Sequence, residues 1–368
     1  MTTVLAPGRL IKLGVLVALA VALFALPYTW FPSFGILPDY TGAAGSLSML
    51  GKVFMLAAVA ITFDLLLGQS GLMSFGHVLY FALGSYAFVM LLIGTDIGFW
   101  TAAVLAVVLV GVVSAVLSVV ALRVEGIAFS MVTLAFAQVG AVMVARNYFG
   151  TGGEDGLRMP GSKVPPQFLG LLNVANVYWL SLGTLIAVAA VAALVVHSRF
   201  GLALRGVREN QLRMRVLGYN VYLLRLAISV VSCTLAGACG VVYAIVLGGT
   251  DPGTVGLAFA LALIFMVVIG GTGSLVGAAV GGTLYALLVY RLPTVSQTLD
   301  GSGVPVWLSH LVGEPDLILG VVFLVVVFAA PKGVVGAARS LRRRREHSDG
   351  THVPEDESAE RPTVSATP

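Results

Sequence analysis

Leu185-Ile186-Ala187-Val188-Ala189-Ala190-Val191-Ala192-Ala193-Leu194-Val195-Val196-His197-Ser198-Arg199-Phe200-Gly201-Leu202-Ala203-Leu204-Arg205-Gly206-Val207-Arg208 is a passage in which an uncharged apolar run gives way to arginines. The run is the second half of a stretch long enough to cross about 30 Å of hydrocarbon as a helix. The arginines after it continue to Arg225, and a second cluster stands at Arg339–Arg345. Apolar runs of similar length fill most of the remaining chain. Basic residues collected between such runs, rather than scattered through them, mark the loops that stay inside.

Working outward, about ten candidate spans are read at roughly 11–31, 48–67, 72–93, 98–121, 127–146, 177–196, 226–247, 254–270, 274–291 and 315–331, each bound good to about three residues. With Arg9 and Lys12 inside, alternate crossings bring both basic clusters inside, and so both termini. An eight-span version with Gly-broken segments re-entrant keeps that parity. The fold class expected is an all-α integral membrane protein, a polytopic helix bundle with cytoplasmic termini. The apolar run Leu13–Leu26, followed by Pro27-Tyr28-Thr29-Trp30-Phe31, reads as a retained first helix with an interfacial aromatic anchor.

Composition agrees: hydrophobic residues are 58% and charged residues 10% of the chain, against about 25% charged in a soluble domain. The 44 glycines suit close helix approach. The net charge of +4 follows from inner loops and does not point to nucleic acid. Cys233 and Cys239 share one apolar run without metal-ligand spacing, so they read as small core residues.

The expected organisation is a transmembrane domain over 1–336 and a disordered inner tail over 337–368. Two excursions interrupt the spans. The outer one, 147–176, is turn-rich around Thr151-Gly152-Gly153-Glu154-Asp155-Gly156 and is expected to order into a cap. The inner one, 197–225, contains a short amphipathic helix over 202–218, with Leu204, Val207, Met214 and Leu217 at helical spacing. Arg205, Glu209 and Arg213 stand at i, i+4 and i+8, so one carboxylate can bridge two guanidiniums. Gly218 and Asn220 would stop that helix. It reads either as an ordinary basic loop or as a docking helix.

Polar residues inside spans are scarce, and each is a functional candidate. Asp64 lies near the inner end of its span. Gln138 lies near mid-span, where it could bond across helices. His77 follows the glycines 68–76, either as a neutral structural histidine or as a pathway residue. The breaks at Gly68–Gly76 and Gly270-Gly271-Thr272-Gly273-Ser274 could expose backbone groups at half-helix ends. There is no P-loop, no zinc spacing and no catalytic set, so the chain does not read as an enzyme. An ATP-driven engine would be another chain.

A resemblance joins these features. Gly71-Leu72-Met73-Ser74-Phe75-Gly76-His77 with Gly84-Ser85-Tyr86, Glu125-Gly126-Ile127-Ala128-Phe129 running to Gln138, Thr151–Leu157, Ser198-Arg199-Phe200-Gly201 through Arg208-Glu209-Asn210 to Asn220, Leu235-Ala236-Gly237, Val268–Ser274 and Pro331-Lys332-Gly333 occur in this order. In that order they resemble the permease subunits of branched-chain amino acid ABC importers, of the LivM type, over about 48–336. The resemblance implies import of leucine, isoleucine or valine across a bacterial inner membrane. It implies a second homologous permease, two cytoplasmic ATPases that use ATP and Mg, and a periplasmic or extracellular solute-binding protein. Besides these partners the chain meets membrane lipid, and it needs no cofactor or metal of its own.

On this reading Arg205, Arg208, Glu209, Asn210, Arg213 and Gly218 couple to the ATPase. Ser74, His77, Thr133 and Gln138 line the pathway. Gly152, Gly153, Glu154, Asp155 and Gly156 meet the binding protein. Two departures stand out: Gln138 where the family often has Glu, and Ala278 after Gly277 where many members have Pro. Urea and short-chain amide permeases share the layout, and a stand-alone secondary transporter is the rival of another class.

Overall fold

The computed structural model describes residues 23–28, 40–170, 173–300, 315–329, 333 and 336. Among them the architecture is helical: α1 Ala44–Asp64 with a π-helical extension Leu65–Gln69, α2 His77–Gly94, α3 Phe99–Ala121, α4 Ile127–Ala145, α5 Val174–His197, α6 Arg199–Glu209, α7 Gln211–Val216, α8 Val221–Leu247, α9 Leu257–Gly270, α10 Leu275–Asp300 and α11 Pro315–Ala329. Seven of the described helices are long and apolar enough to cross a membrane.

Two departures from the expected spans have local causes. The span read over 72–93 begins as a helix only at His77, because Gly71 takes φ +73° and the chain runs irregularly to Gly76. The span read over 254–270 is the 14-residue α9. At 1.5 Å per residue it is about 21 Å long, short of a full crossing. Of the first span, 11–31, only residues 23–28 are described; the rest and the 337–368 tail lie outside the described residues. The described piece rests on α5: Tyr178 donates its hydroxyl to the Leu23 carbonyl at 2.7 Å, and Phe24 packs on Trp179 at 4.7 Å.

α1 is the axis of the bundle. It is apolar on every side, and 89% of its span is buried, as a helix without a polar face must be. It packs against α5, α8 and α10. The peripheral helices bury one stripe only. On α3 the buried residues Ala102, Ala106, Val110, Ser114 and Ser118 recur every fourth position, which is one helix face. The valines and leucines of the other faces are exposed, as lipid contact requires.

α2 and α8 cross with their backbones in contact. A Cβ on Gly84 would lie 2.8 Å from the Gly237 carbonyl carbon, and one on Gly240 would lie 2.9 Å from the Phe81 carbonyl carbon. Here glycine is demanded by contact between two backbones. Cys233 and Cys239 are buried in α8 and unpaired.

The 147–176 excursion is ordered where described. Three short 3₁₀ turns at Gly153–Asp155, Gly161–Lys163 and Pro166–Phe168 let so long a connection cover the bundle end. Lys163 Nζ donates to the Thr95 carbonyl at 2.8 Å and pairs with Asp96 at 3.1 Å. Phe168 stacks on Phe99 at 6.0 Å.

Candidate functional site

At the basic end of the bundle, α6 and α7 lie across the break in α1. Ser198 starts α6, its hydroxyl accepting the Gly201 N–H at 3.2 Å. The single helix read over 202–218 is two helices. Asn210 turns to φ −155°, ψ 101° and starts α7 by accepting the Arg213 N–H at 2.9 Å. Asparagine competes with the helical backbone in this way. Leu204, Val207 and Met214 are buried as the pattern requires, but Leu217 is exposed, because α7 has already ended at Val216. Gly218 then turns the chain at φ +86°, and Asn220 caps α8 through the Leu223 N–H at 3.2 Å.

The bridging carboxylate is likewise not Glu209. The kink at Asn210 removes its i+4 relation to Arg213, Arg205 turns inward, and among the described residues Glu209 enters no ion pair. The residue that joins two guanidiniums is Glu125, in the connection before α4. It lies 3.1 Å from Arg215 and 3.8 Å from Arg225. Its distance in sequence from Arg215 and Arg225 hid it.

Arg225 carries the energetic weight of this cluster. Its side chain is 11% exposed, whereas Glu125 and Arg215 are both 57% exposed. Replacing Glu125 with Ala leaves the largely buried Arg225 without a counter-charge. Thermal unfolding in detergent should show a loss of about 1 kcal/mol, discounted from the buried-pair range for the exposure of the carboxylate. Arg215→Ala should change stability by no more than about 0.5 kcal/mol.

Arg205 and Arg208, one helical turn apart on α6, both reach the π-helical extension of α1. Arg205 donates to the Gln69 side chain at 3.2 Å and to the Val196 carbonyl at 2.8 Å. Arg208 donates to the Gly68 carbonyl. A π-helical turn frees carbonyls from the i→i−4 ladder, and here an arginine takes one. On the other side of Gly68, the Asp64 carboxylate accepts the Gly273 N–H at 2.7 Å. The two glycine breaks thus meet at one place, and protein groups consume these freed backbone groups.

The four pathway candidates do not converge. Ser74, His77 and Thr133 are buried. His77 Nε2 lies 2.9 Å from Thr62 Oγ1, whose hydroxyl donates to the Val59 carbonyl at 2.7 Å. The ring must therefore donate at Nε2, leaving Nδ1 to face Cys233 Sγ at 3.9 Å. This neutral, satisfied arrangement ties α1, α2 and α8 together. Thr133 packs on the Gly76 backbone, next to the Ser130 hydroxyl that donates to the Met73 carbonyl at 2.7 Å. Gln138 is exposed and makes no cross-helix bond among the described residues. It lines an open groove of about 540 Å³ with Val139, Val142, Met143, Tyr148 and Phe149.

At the opposite end, Gly152, Gly153 and Gly156 all take positive φ and fold the loop back on itself. A Cβ on Gly152 would lie 2.6 Å from the Gly156 carbonyl carbon. The loop is pinned to the turn after α8 by the Leu157 N–H on the Thr250 hydroxyl at 2.7 Å and the Thr250 N–H on the Leu157 carbonyl at 2.8 Å. Glu154 and Asp155 are left exposed at its tip.

The chain is similar to the high-affinity branched-chain amino acid transport system permease protein LivM of Escherichia coli (strain K12), with 24% identity over 276 residues, 69% of this chain and 63% of that protein. It is similar to the LivM protein of Salmonella typhimurium (strain LT2) with 24% identity over 252 residues, 62% of this chain and 59% of that protein. The chain thus spans about three fifths of the length of these relatives. The solved structure of PsaBC from Streptococcus pneumoniae in complex with Fab aligns over 81% of this chain and 95% of that one, at 13% identity and a TM-score of 0.43, too low to bear on the fold. The family model of the branched-chain amino acid transport system / permease component matches residues 45–330. With apolar helices repeated along that same range, this is a multi-pass membrane protein, and the chain belongs to the branched-chain amino acid transport system permease family.

Proposed function

We propose that this chain is the membrane-spanning subunit of an ATP-driven importer for branched-chain amino acids in a bacterial inner membrane, and not itself an enzyme. In this reading α6 and α7 face the cytoplasm and dock on a partner ATPase. Arg205 and Arg208 grip α1, while Glu209, Asn210, Arg213 and the Gly218 turn present the docking surface. The observation that carries the reading is that grip: a short basic helix holds the most buried helix at its one irregular turn, so a push on α6 is delivered to the centre of the bundle.

Two further assignments follow. Gln138, exposed on α4, faces the groove that a second permease subunit would close, and is the residue assigned to the solute path. Ser74, His77 and Thr133 hold the helices that frame it. Glu154 and Asp155 present carboxylates to an external solute-binding protein. ATP and Mg act in the partner subunits.

The test is uptake of labelled leucine, urea and glutamate in a strain deleted for this gene and in its complemented parent. Loss of leucine uptake alone, restored by complementation, is the expected result. Loss of urea uptake instead would move the substrate to the amide class. Unchanged uptake of all three, with other importers also deleted, overturns the reading.

A further inference from the structure

Asp64 has an unfilled acceptor in a place where none is expected. It is fully buried. One oxygen holds the Gly273 N–H, and the other, Oδ2, has no hydrogen-bond partner. Buried carboxylates in a membrane bundle are costly and need a partner for each oxygen. The nearest cationic side chain by contact with the same turn is Arg208. Its guanidinium sits on the Gly68 carbonyl, and its Nη1 lies 3.3 Å from where a Cβ on Gly273 would stand. It is not paired with Asp64 within 4 Å, since the ion pairs of the described residues are Lys163–Asp96, Arg215–Glu125 and Arg225–Glu125. Gly68 packs directly against this junction. A Cβ on Gly68 would lie 2.7 Å from the Asp64 carboxyl carbon and 2.6 Å from the Gly273 nitrogen.

We propose that Asp64 Oδ2 is a second seat for the Arg208 guanidinium, and that Arg208 passes between the Gly68 carbonyl and Asp64 during the transport cycle. The inference rests on the importer reading above. It makes Asp64 a positioning residue of coupling. In the state seen here Arg208 holds only α1. With Arg208 on Asp64, α6 would also hold the α9–α10 turn, through the carboxylate that already carries Gly273. α9 is too short to cross a membrane unaided, and the turn after it, with Thr272 and Gly273 exposed, is tied to α1 at this junction through the Asp64–Gly273 bond. Two discrete seats for one guanidinium, differing in which helices they join, form a two-state element of the kind that transmits force. Gly68 is demanded by the contact with Asp64 and the Gly273 backbone, and Gly273 by its φ of +81°.

Asp64→Asn separates this role from a merely structural one. Asparagine keeps an oxygen for the Gly273 N–H, but loses the charge and replaces Oδ2 with an amide donor, so it cannot seat Arg208. The measurement is leucine uptake and ATP hydrolysis by the whole complex in proteoliposomes, for wild type, Asp64→Asn, Arg208→Gln and the double variant. The expected result is an assembled Asp64→Asn complex that hydrolyses ATP but imports leucine about tenfold more slowly or worse, with the double variant no worse than Arg208→Gln. Wild-type uptake by Asp64→Asn, or losses that multiply in the double variant, would overturn the second seat. A complementary readout needs no solute. In infrared difference spectra between nucleotide-free and vanadate-trapped complex, an Asp64 carboxylate band should shift, and should vanish in Asp64→Asn. Absence of that band also overturns the proposal. A wild-type complex that fails to import leucine but shows the band would count against the substrate reading and for the seat.

Discussion

Gly84→Leu should leave no folded protein in the membrane. The position is where α2 crosses α8 with the two backbones in contact. A Cβ at Gly84 would lie 2.8 Å from both the Cα and the carbonyl carbon of Gly237, and no rotamer change can move a backbone aside. Even alanine must force the helices apart, at roughly 1–3 kcal/mol. Leucine would separate them over several residues and undo the neighbouring contact of Gly240 with Phe81. It would also pull His77 on α2 away from Thr62 on α1. The check is size-exclusion profile and thermal unfolding in detergent. Gly183→Ala is the control. Gly183 lies within α5 with open space around it, so alanine there should be neutral or stabilise by up to about 1 kcal/mol through helix propensity. Equal behaviour of the two positions would contradict the packing described.

Arg208→Glu should abolish uptake while the protein still inserts and assembles. Arg208 donates to the Gly68 carbonyl at the π-helical turn. A carboxylate there has no hydrogen to donate, faces a carbonyl oxygen, and adds a second negative charge to the junction that already holds Asp64. Acceptor meets acceptor and charge meets like charge, so α6 should lift from α1. The buried Leu204 and Val207 still hold α6 to the bundle, so the loss should be in transmission rather than in folding. Uptake should fall by at least about tenfold, equivalent to roughly 1.4 kcal/mol, with normal membrane levels of the protein. Glu209→Arg is expected to be milder than its spacing suggests, because Glu209 enters no ion pair among the described residues. Its effect should come only from the docking surface. Uptake in Arg208→Glu close to wild type would contradict the grip of α6 on α1.

The bundle was legible from periodicity and run length because lipid imposes a simple rule. An apolar run of about 20 residues must be a helix, since no other structure satisfies its backbone. Hence α1, α3, α4, α5 and α8 lie close to the spans read for them. The break points were legible as glycines, but their use was not. Gly68 and Gly273 are some 200 residues apart, and nothing local says that the carbonyl of one and the N–H of the other meet a common pair, Arg208 and Asp64. Glu125 was missed for the same reason, since its partners come from α7 and α8. Gln138 stands within α4 but makes no cross-helix bond among the described residues; which face of α4 looks inward depends on how it packs, and its apolar residues are spread too evenly to tell.

By itself, the sequence determined that the chain crosses a membrane many times, where its basic segments lie and that a short amphipathic stretch interrupts the spans. These follow from transfer free energies that each segment meets alone. Only the tertiary structure decided that Asn210 splits that stretch, that α9 stops short, and that Arg208, Gly68, Asp64 and Gly273 form one junction. Those are contacts between distant segments, and their energies exist only once the helices have packed.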